Sequence, residues 1–206
     1  MLNWIELSGD AIRNNLQEFR KRVGPEVRLG AVVKANAYGH GMLEIAGLAR
    51  DSGADWLCVH SLEEAVQLRG EGHDLPILVM GHVPLDELEI AVELDLRLVL
   101  VNRESLERLE EIAGRLGRRV AVHLKLETGT HRQGIPEDEL TGFAERIERS
   151  PVLELEGLAT HFANIEDTTD HAYAEMQLMR FSRCCERLEE AGYRAPLRHT
   201  ACSAAA

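Results

Sequence analysis

The sequence predicts an α/β fold of the (β/α)-barrel type, and three observations carry that reading. Apolar runs of strand length recur at 28–34, 56–60, 76–80, 97–101, 119–126, 153–160 and 196–200. Segments rich in Ala, Leu, Glu and Arg with helical periodicity separate them, at 41–52, 61–70, 85–94, 103–116, 136–149 and 169–191. Chemically suggestive residues then gather at the ends of the strand runs: Lys34 to Tyr38, His60, Lys125 to Arg132, His161, and His199 to Ser203. Parallel neighbours need a crossover, which helices usually supply, and in a (β/α) barrel the chemistry sits where strands end.

Each element has its own signal. Before the first strand run, Asp10 is a candidate cap for a helix with apolar positions Ile12, Leu16 and Phe19. The acidic residues of 61–70, 85–94 and 103–116 read as solvated helix faces. A complete (β/α)8 barrel has eight strands and typically about 250 residues, so seven strand runs in 206 residues stop one βα unit early. An open doubly wound sheet is the alternative. Against a dinucleotide-binding version of it, no GxGxxG follows the first strand, and Gly39-His40-Gly41 is too short a match. With no repeat, low-complexity stretch or Pro-rich linker, residues 1–206 read as one domain.

Composition narrows the function classes. The 23 basic and 35 acidic residues give a formal charge of −12, which argues against nucleic-acid and anionic-membrane partners. Cys58, Cys184, Cys185 and Cys202 form neither a CxxC pair nor a disulfide framework, and the adjacent Cys184 and Cys185 read as residues of a helix. Met1-Leu2-Asn3-Trp4-Ile5-Glu6-Leu7 has no leader pattern, and no apolar run reaches membrane-spanning length. A soluble, cytoplasmic protein is expected. The histidines show no HExxH or Cys/His cluster, so no required metal is expected.

Four constellations carry the chemistry. Lys34 closes the run Leu29-Gly30-Ala31-Val32-Val33, where partial desolvation favours a neutral amine suited to Schiff-base or general-base work. Alone, such a lysine is more often a solvated charge. Arg132, in the Gly-flanked stretch His123-Leu124-Lys125-Leu126-Glu127-Thr128-Gly129-Thr130-His131-Arg132-Gln133-Gly134, offers a rigid fork of donors to a carboxylate or phenolic oxygen; a plain surface arginine is its alternative. His161 in Thr160-His161-Phe162-Ala163 and His199 in His199-Thr200-Ala201-Cys202-Ser203-Ala204 also stand at strand ends. Cys202 reads more simply as a small buried thiol than as a nucleophile.

Lys34-Ala35-Asn36-Ala37-Tyr38-Gly39-His40-Gly41 resembles the pyridoxal 5′-phosphate (PLP) lysine signature of alanine racemases. The other three stretches resemble that family's Lys-x-Asp-Thr-Gly-Met-x-Arg-x-Gly, Thr-His-Phe-Ala and His-x-x-Asn-Ser-Ala. The resemblance implies the family's N-terminal (β/α)8 TIM-type barrel without its last βα unit. It implies that Lys34 forms the Schiff base and is one of two bases interconverting L- and D-alanine for the cell wall. Arg132 contacts the PLP oxygen and substrate carboxylate, and Tyr38 lies near the phosphate. His161 packs on the cofactor ring, Ser203 donates to the phosphate, and His199 supports an arginine facing the pyridine nitrogen. Lys125 falls where many members carry a carbamylated lysine. Glu127, Thr130 and Cys202 replace Asp, Met and Asn, which leaves substrate breadth open.

By the same resemblance, the pyridine-facing arginine and the C-terminal β domain lie beyond this sequence. That domain carries the tyrosine that is the opposite base across a homodimer. The chain is then expected to be an N-terminal portion, inactive alone. The other reading is a single-domain PLP-binding protein of the PLP-homeostasis kind, without racemase activity.

Overall fold

The computed structural model describes residues 4–206. Met1-Leu2-Asn3, the start of the segment without a leader pattern, lies outside the described residues. The chain forms two compact units, one ending at Val83 and the other beginning at Pro84.

The first unit runs α1 (Gly9–Val23), β1 (Gly30–Val32), a short turn α2 (Lys34–Tyr38), α3 (Met42–Asp51), β2 (Trp56–Val59), α4 (Leu62–Gly70) and β3 (Ile77–Val79). Its strands pair in parallel, β1 with β2 and β2 with β3. Leu57, Val59, Ile77 and Val79 are fully buried on β2 and β3, and Ala46, Ala65 and Leu68 on α3 and α4 are buried too. Small Ala side chains let helix and strand backbones approach closely, so apolar area is buried on both sides of the strands.

Helix α1 starts two residues before the position expected from Asp10. Ser8 is the cap, its Oγ accepting from the Ala11 N–H at 3.2 Å. Asp10 instead sits in the first turn, paired with Arg13 at 2.6 Å, where an acidic group still favours the positive helix end.

The second unit runs α5 (Leu88–Glu93), β4 (Arg97–Leu100), α6 (Arg103–Leu116), β5 (Val120–Lys125), α7 (Leu140–Arg149), β6 (Leu153–Ala159), α8 (Ala172–Glu190), β7 (Leu197–His199) and a 3-10 turn (Ser203–Ala205). The strands again pair in parallel and in chain order, β4 to β7. The Asn102 side chain caps α6, accepting from the Ser105 N–H at 2.8 Å, and Gly117 closes it in the left-handed region. Leu106, Leu109 and Ile112 of α6 and Phe143 and Ile147 of α7 supply the buried helix stripes.

All seven strands fall in the windows expected from sequence, and each of the first six is followed by a helix, as in successive units of a (β/α)8 barrel lacking its last one. The four cysteines are free, and Cys184 and Cys185 are buried on α8. Among the described residues no helix is long and apolar enough to cross a membrane, and no group of three or more His, Cys, Asp or Glu could hold a metal ion.

Candidate cofactor site

Lys34 stands directly after β1, half-buried, and begins a turn of unusual hand. Ala35, Asn36 and Ala37 have φ/ψ of 52°/49°, 54°/45° and 50°/46°, and Tyr38 has φ 56°. These are left-handed helical values, which cost L-residues on the order of 1–2 kcal/mol each. Hydrogen bonds hold the turn closed: Ala37 N–H to the Val33 carbonyl at 2.8 Å, and Gly39 N–H to the Ala35 and Asn36 carbonyls at 3.1 and 3.0 Å. Asn36, a residue that tolerates this region, also accepts from the N–H of Met42, the first residue of α3, at 2.8 Å. Gly39 and Gly41, at φ 90° and 96°, complete the exit.

The Lys34-to-Gly41 signature therefore encodes a strained backbone turn with its lysine at the entrance. No hydrogen bond or ion pair engages the Lys34 ammonium among the described residues. Tyr38 is 62% exposed. Strain of this kind concentrates where geometry serves binding or catalysis.

Sequence reasoning missed the support of this turn. Glu64, in the first turn of α4, accepts from the Ala35 N–H at 2.6 Å through Oε1, and from the His60 and Ser61 N–H groups at 2.8 and 3.2 Å through Oε2. With Ser61 Oγ accepting from the Glu64 N–H, it completes a capping box. The solvated face expected over 61–70 is corrected at this residue: Glu64 is half-buried and its carboxylate is engaged by three amides.

In the second unit Arg132 lies exposed on the loop that follows β5. Glu127 shapes that loop. Burial alone pushes its carboxyl up, but N–H groups of His131, Gly129 and Thr130 outweigh this and hold it below the usual carboxylate range. The Gly129 N–H donates to it at 2.6 Å. Glutamate at this position therefore has a structural task as the acceptor of a tight turn. Gly134 is equally needed, because a Cβ there would lie 2.6 Å from the Glu127 nitrogen.

A buried amide joins the Arg132 loop to the His161 loop. Gln177 of α8 is fully buried; its Nε2 donates to the His161 carbonyl at 3.0 Å, and its Oε1 accepts from the Ala163 N–H at 2.9 Å. The same Nε2 is 3.4 Å from the hydroxyls of Thr128 and Thr130. Thr130 donates to the His161 carbonyl, and Thr128 shares a 2.7 Å hydrogen bond with Thr160. The Tyr173 hydroxyl donates to the Gly129 carbonyl at 2.8 Å. Thr130, which stands in place of Met, is thus spent on tying the two loops together.

A second buried chain ends at His199. Glu156 is the extra residue of a β-bulge: Val122 pairs with Leu155 but His123 pairs with Gly157. The bulge aims the Glu156 carboxylate at His123 Nε2, 3.0 Å away, with Arg97 of β4 at 3.7 Å from the same oxygen. His123 Nδ1 lies 2.8 Å from His199 Nε2. Gly157 makes room, since a Cβ there would sit 2.3 Å from His123 Nδ1.

Burial first, then the charges of His123 and Lys125, lowers the His199 pKa to about 3. Lys125, buried at the end of β5, pairs in register with Ala159. His161 is half-buried just past β6, and Ser203 is exposed at the start of the 3-10 turn beside half-buried Cys202.

The structure thus places Lys34 and Tyr38 together after β1 of the first unit. Lys125, Arg132, His161, His199 and Ser203 all follow or end strands of the second.

Comparison with known proteins identifies the class. The family model described as "Alanine racemase, N-terminal domain" matches residues 7–206, and the chain belongs to that family. It is 38% identical over 203 residues to alanine racemase of Methanococcus maripaludis, covering 98% of this chain and 54% of the relative. It is 41% identical over 204 residues to alanine racemase of Desulforamulus reducens, covering 98% and 55%. The chain therefore spans about half the length of the curated relatives it matches.

Solved structures agree. Alanine racemase of Clostridium difficile 630 in complex with cycloserine superposes with a TM-score of 0.91 at 30% identity, over 95% of this chain and 54% of that one. The Bacillus anthracis enzyme with bound L-Ala-P gives 0.90 at 36% identity, over 98% and 52%.

Proposed function

We propose that residues 1–206 are the PLP-binding barrel domain of a racemase that interconverts L- and D-alanine, with Lys34 as the cofactor-bearing residue and one of two bases. The observation that supports this most is the turn after β1. It holds an amine with no partner among the described residues at a strand end, on a strained backbone kept in place by Asn36 and Glu64.

The side chains suit PLP. An aldehyde needs a free primary amine, which Lys34 offers. A phosphate needs hydroxyl and backbone donors among small neighbours, as in Ser203-Ala204-Ala205. PLP, when bound, supplies the electron sink that acidifies the substrate Cα–H.

The chain's own residues do the rest. Lys34 Nζ takes or returns a proton on one face of Cα. Arg132 offers its guanidinium to the substrate carboxylate and the cofactor's phenolic oxygen, from a loop kept rigid by Glu127 and Gln177. Tyr38 and Ser203 hold the phosphate, and His161 packs against the ring. His199 supports an arginine facing the pyridine nitrogen, and Lys125, carbamylated, orients Arg132. The opposite face of Cα needs a second base, supplied by a tyrosine of another domain in a homodimer. The setting is the cytoplasm, and the product supplies cell-wall synthesis.

The test is to follow L-alanine in deuterated water with the full reading frame that contains this chain. D-alanine labelled at Cα is expected. PLP binding with no exchange at Cα would favour the single-domain PLP-binding reading instead. Racemisation by the 206 residues alone would remove the need for the second base.

A further inference from the structure

We infer that Glu64 is a positioning residue for Lys34: its carboxylate fixes the peptide that links Lys34 to Ala35 and so sets the direction in which the lysine enters its turn. The inference rests on Lys34 being the PLP-bearing lysine.

The geometry separates this task from ordinary helix capping. A capping box needs only Oε2, which accepts from Ser61 N–H at 3.2 Å and, beyond the box, from His60 N–H at 2.8 Å. Oε1 reaches away from its own helix, across 29 residues of sequence, to the Ala35 N–H at 2.6 Å. That N–H belongs to the peptide after Lys34, so holding it fixes the Lys34 ψ angle. Ala35 is also the first residue of the left-handed run, at φ 52°. Ala35 is exposed, so water would otherwise compete for its amide and the strained turn could relax from its lysine end. Asn36 secures the other end through Met42. Held at both ends, the turn presents Lys34 in one orientation before any ligand arrives.

The charge matters as well as the reach. Three N–H donors converge on two carboxylate oxygens, an arrangement a glutamine cannot match: it has one acceptor oxygen, and its NH2 would face a donor. Aspartate keeps the charge and the cap position, but is one methylene too short to serve Ala35 as well.

The experiment compares Glu64→Gln, Glu64→Asp and Ser61→Ala in the 206-residue chain by three readouts. These are deuterium exchange at the Ala35 amide without PLP, the PLP concentration that half-develops the visible absorbance gained on attachment, and the thermal midpoint. Both Glu64 variants are expected to speed Ala35 exchange and raise the half-saturating PLP concentration about tenfold, the effect of one lost charge-assisted hydrogen bond. Ser61→Ala is expected to lower the thermal midpoint while leaving both other readouts unchanged.

Unchanged Ala35 exchange and PLP half-saturation in the Glu64 variants, with only the thermal midpoint reduced, would overturn the inference and leave Glu64 a helix cap. Lys34→Ala is run alongside. If the absorbance persists in it, the lysine assignment fails, whereas the Ala35 exchange still reports on Glu64 by itself.

Discussion

The Lys34 turn and the paired Arg132 and His161 loops solve the same problem in opposite ways. The first is strained: four consecutive non-glycine residues occupy the left-handed region, restrained by exposed or half-buried groups at the two ends, Glu64 and Asn36. The second is satisfied: Gln177, Thr128 and Thr160 are buried and hydrogen-bonded to one another or to loop backbone. In the proposed function, a lysine that both bonds a cofactor and moves protons gains from a backbone with one permitted orientation. On the same proposal, an arginine that only binds gains from a platform that does not move.

If the contrast holds, the largest loss belongs to the buried side. Gln177→Leu strands the Ala163 N–H and unties the His161 carbonyl, and should cost about 3 kcal/mol in urea unfolding. A loss below about 1 kcal/mol would mean that the two loops are held by something else.

The next effect is in pH. His199 has its folded pKa lowered from 6.5 to about 3, so the unfolded chain binds the extra proton between those values. The neutral ring therefore contributes stability in full above pH 6.5, and that contribution is lost as pH falls towards 3. Unfolding of wild type and His199→Asn across this range should show the weaker acid dependence in the variant. Equal slopes would mean that His199 is not held neutral.

Asn36→Ala removes the acceptor for the Met42 N–H and the residue best suited to positive φ, and should cost about 1 kcal/mol. Smallest, and opposite in sign, is Ala35→Gly. Glycine accepts this conformation without penalty, so a gain of up to about 1 kcal/mol is expected despite its greater chain entropy. Destabilisation by Ala35→Gly would contradict the strain assigned to the turn.

Much of the scaffold is legible in the sequence because periodicity reports burial. The α6 segment 103–116 has Leu106, Leu109 and Ile112 at helical spacing, and the structure gives α6 those bounds. The site is legible only where a local string carries it, as from Lys34 to Gly41. Its hand is not, because Ala35 and Ala37 have no preference for the left-handed region, and the carboxylate that engages the Ala35 N–H comes from a distant segment.

The supporting residues are hidden for related reasons. Gln177 lies within an amphipathic helix pattern, and Glu64 looks like any acidic residue at a helix start. His123 and His199 meet across 76 positions, and only through a one-residue bulge that periodicity does not register. Ser8 and Asp10 are both good caps, so composition does not choose between them.

The claim on which the rest depends is that Lys34 carries PLP, and the chain contains only three lysines: Lys21, Lys34 and Lys125. Incubation with PLP, reduction with borohydride and peptide mass mapping will read which one is modified. The account predicts the added pyridoxyl-phosphate mass on the peptide containing Lys34, lost in Lys34→Ala. Modification at Lys21 or Lys125 with Lys34 untouched would contradict it.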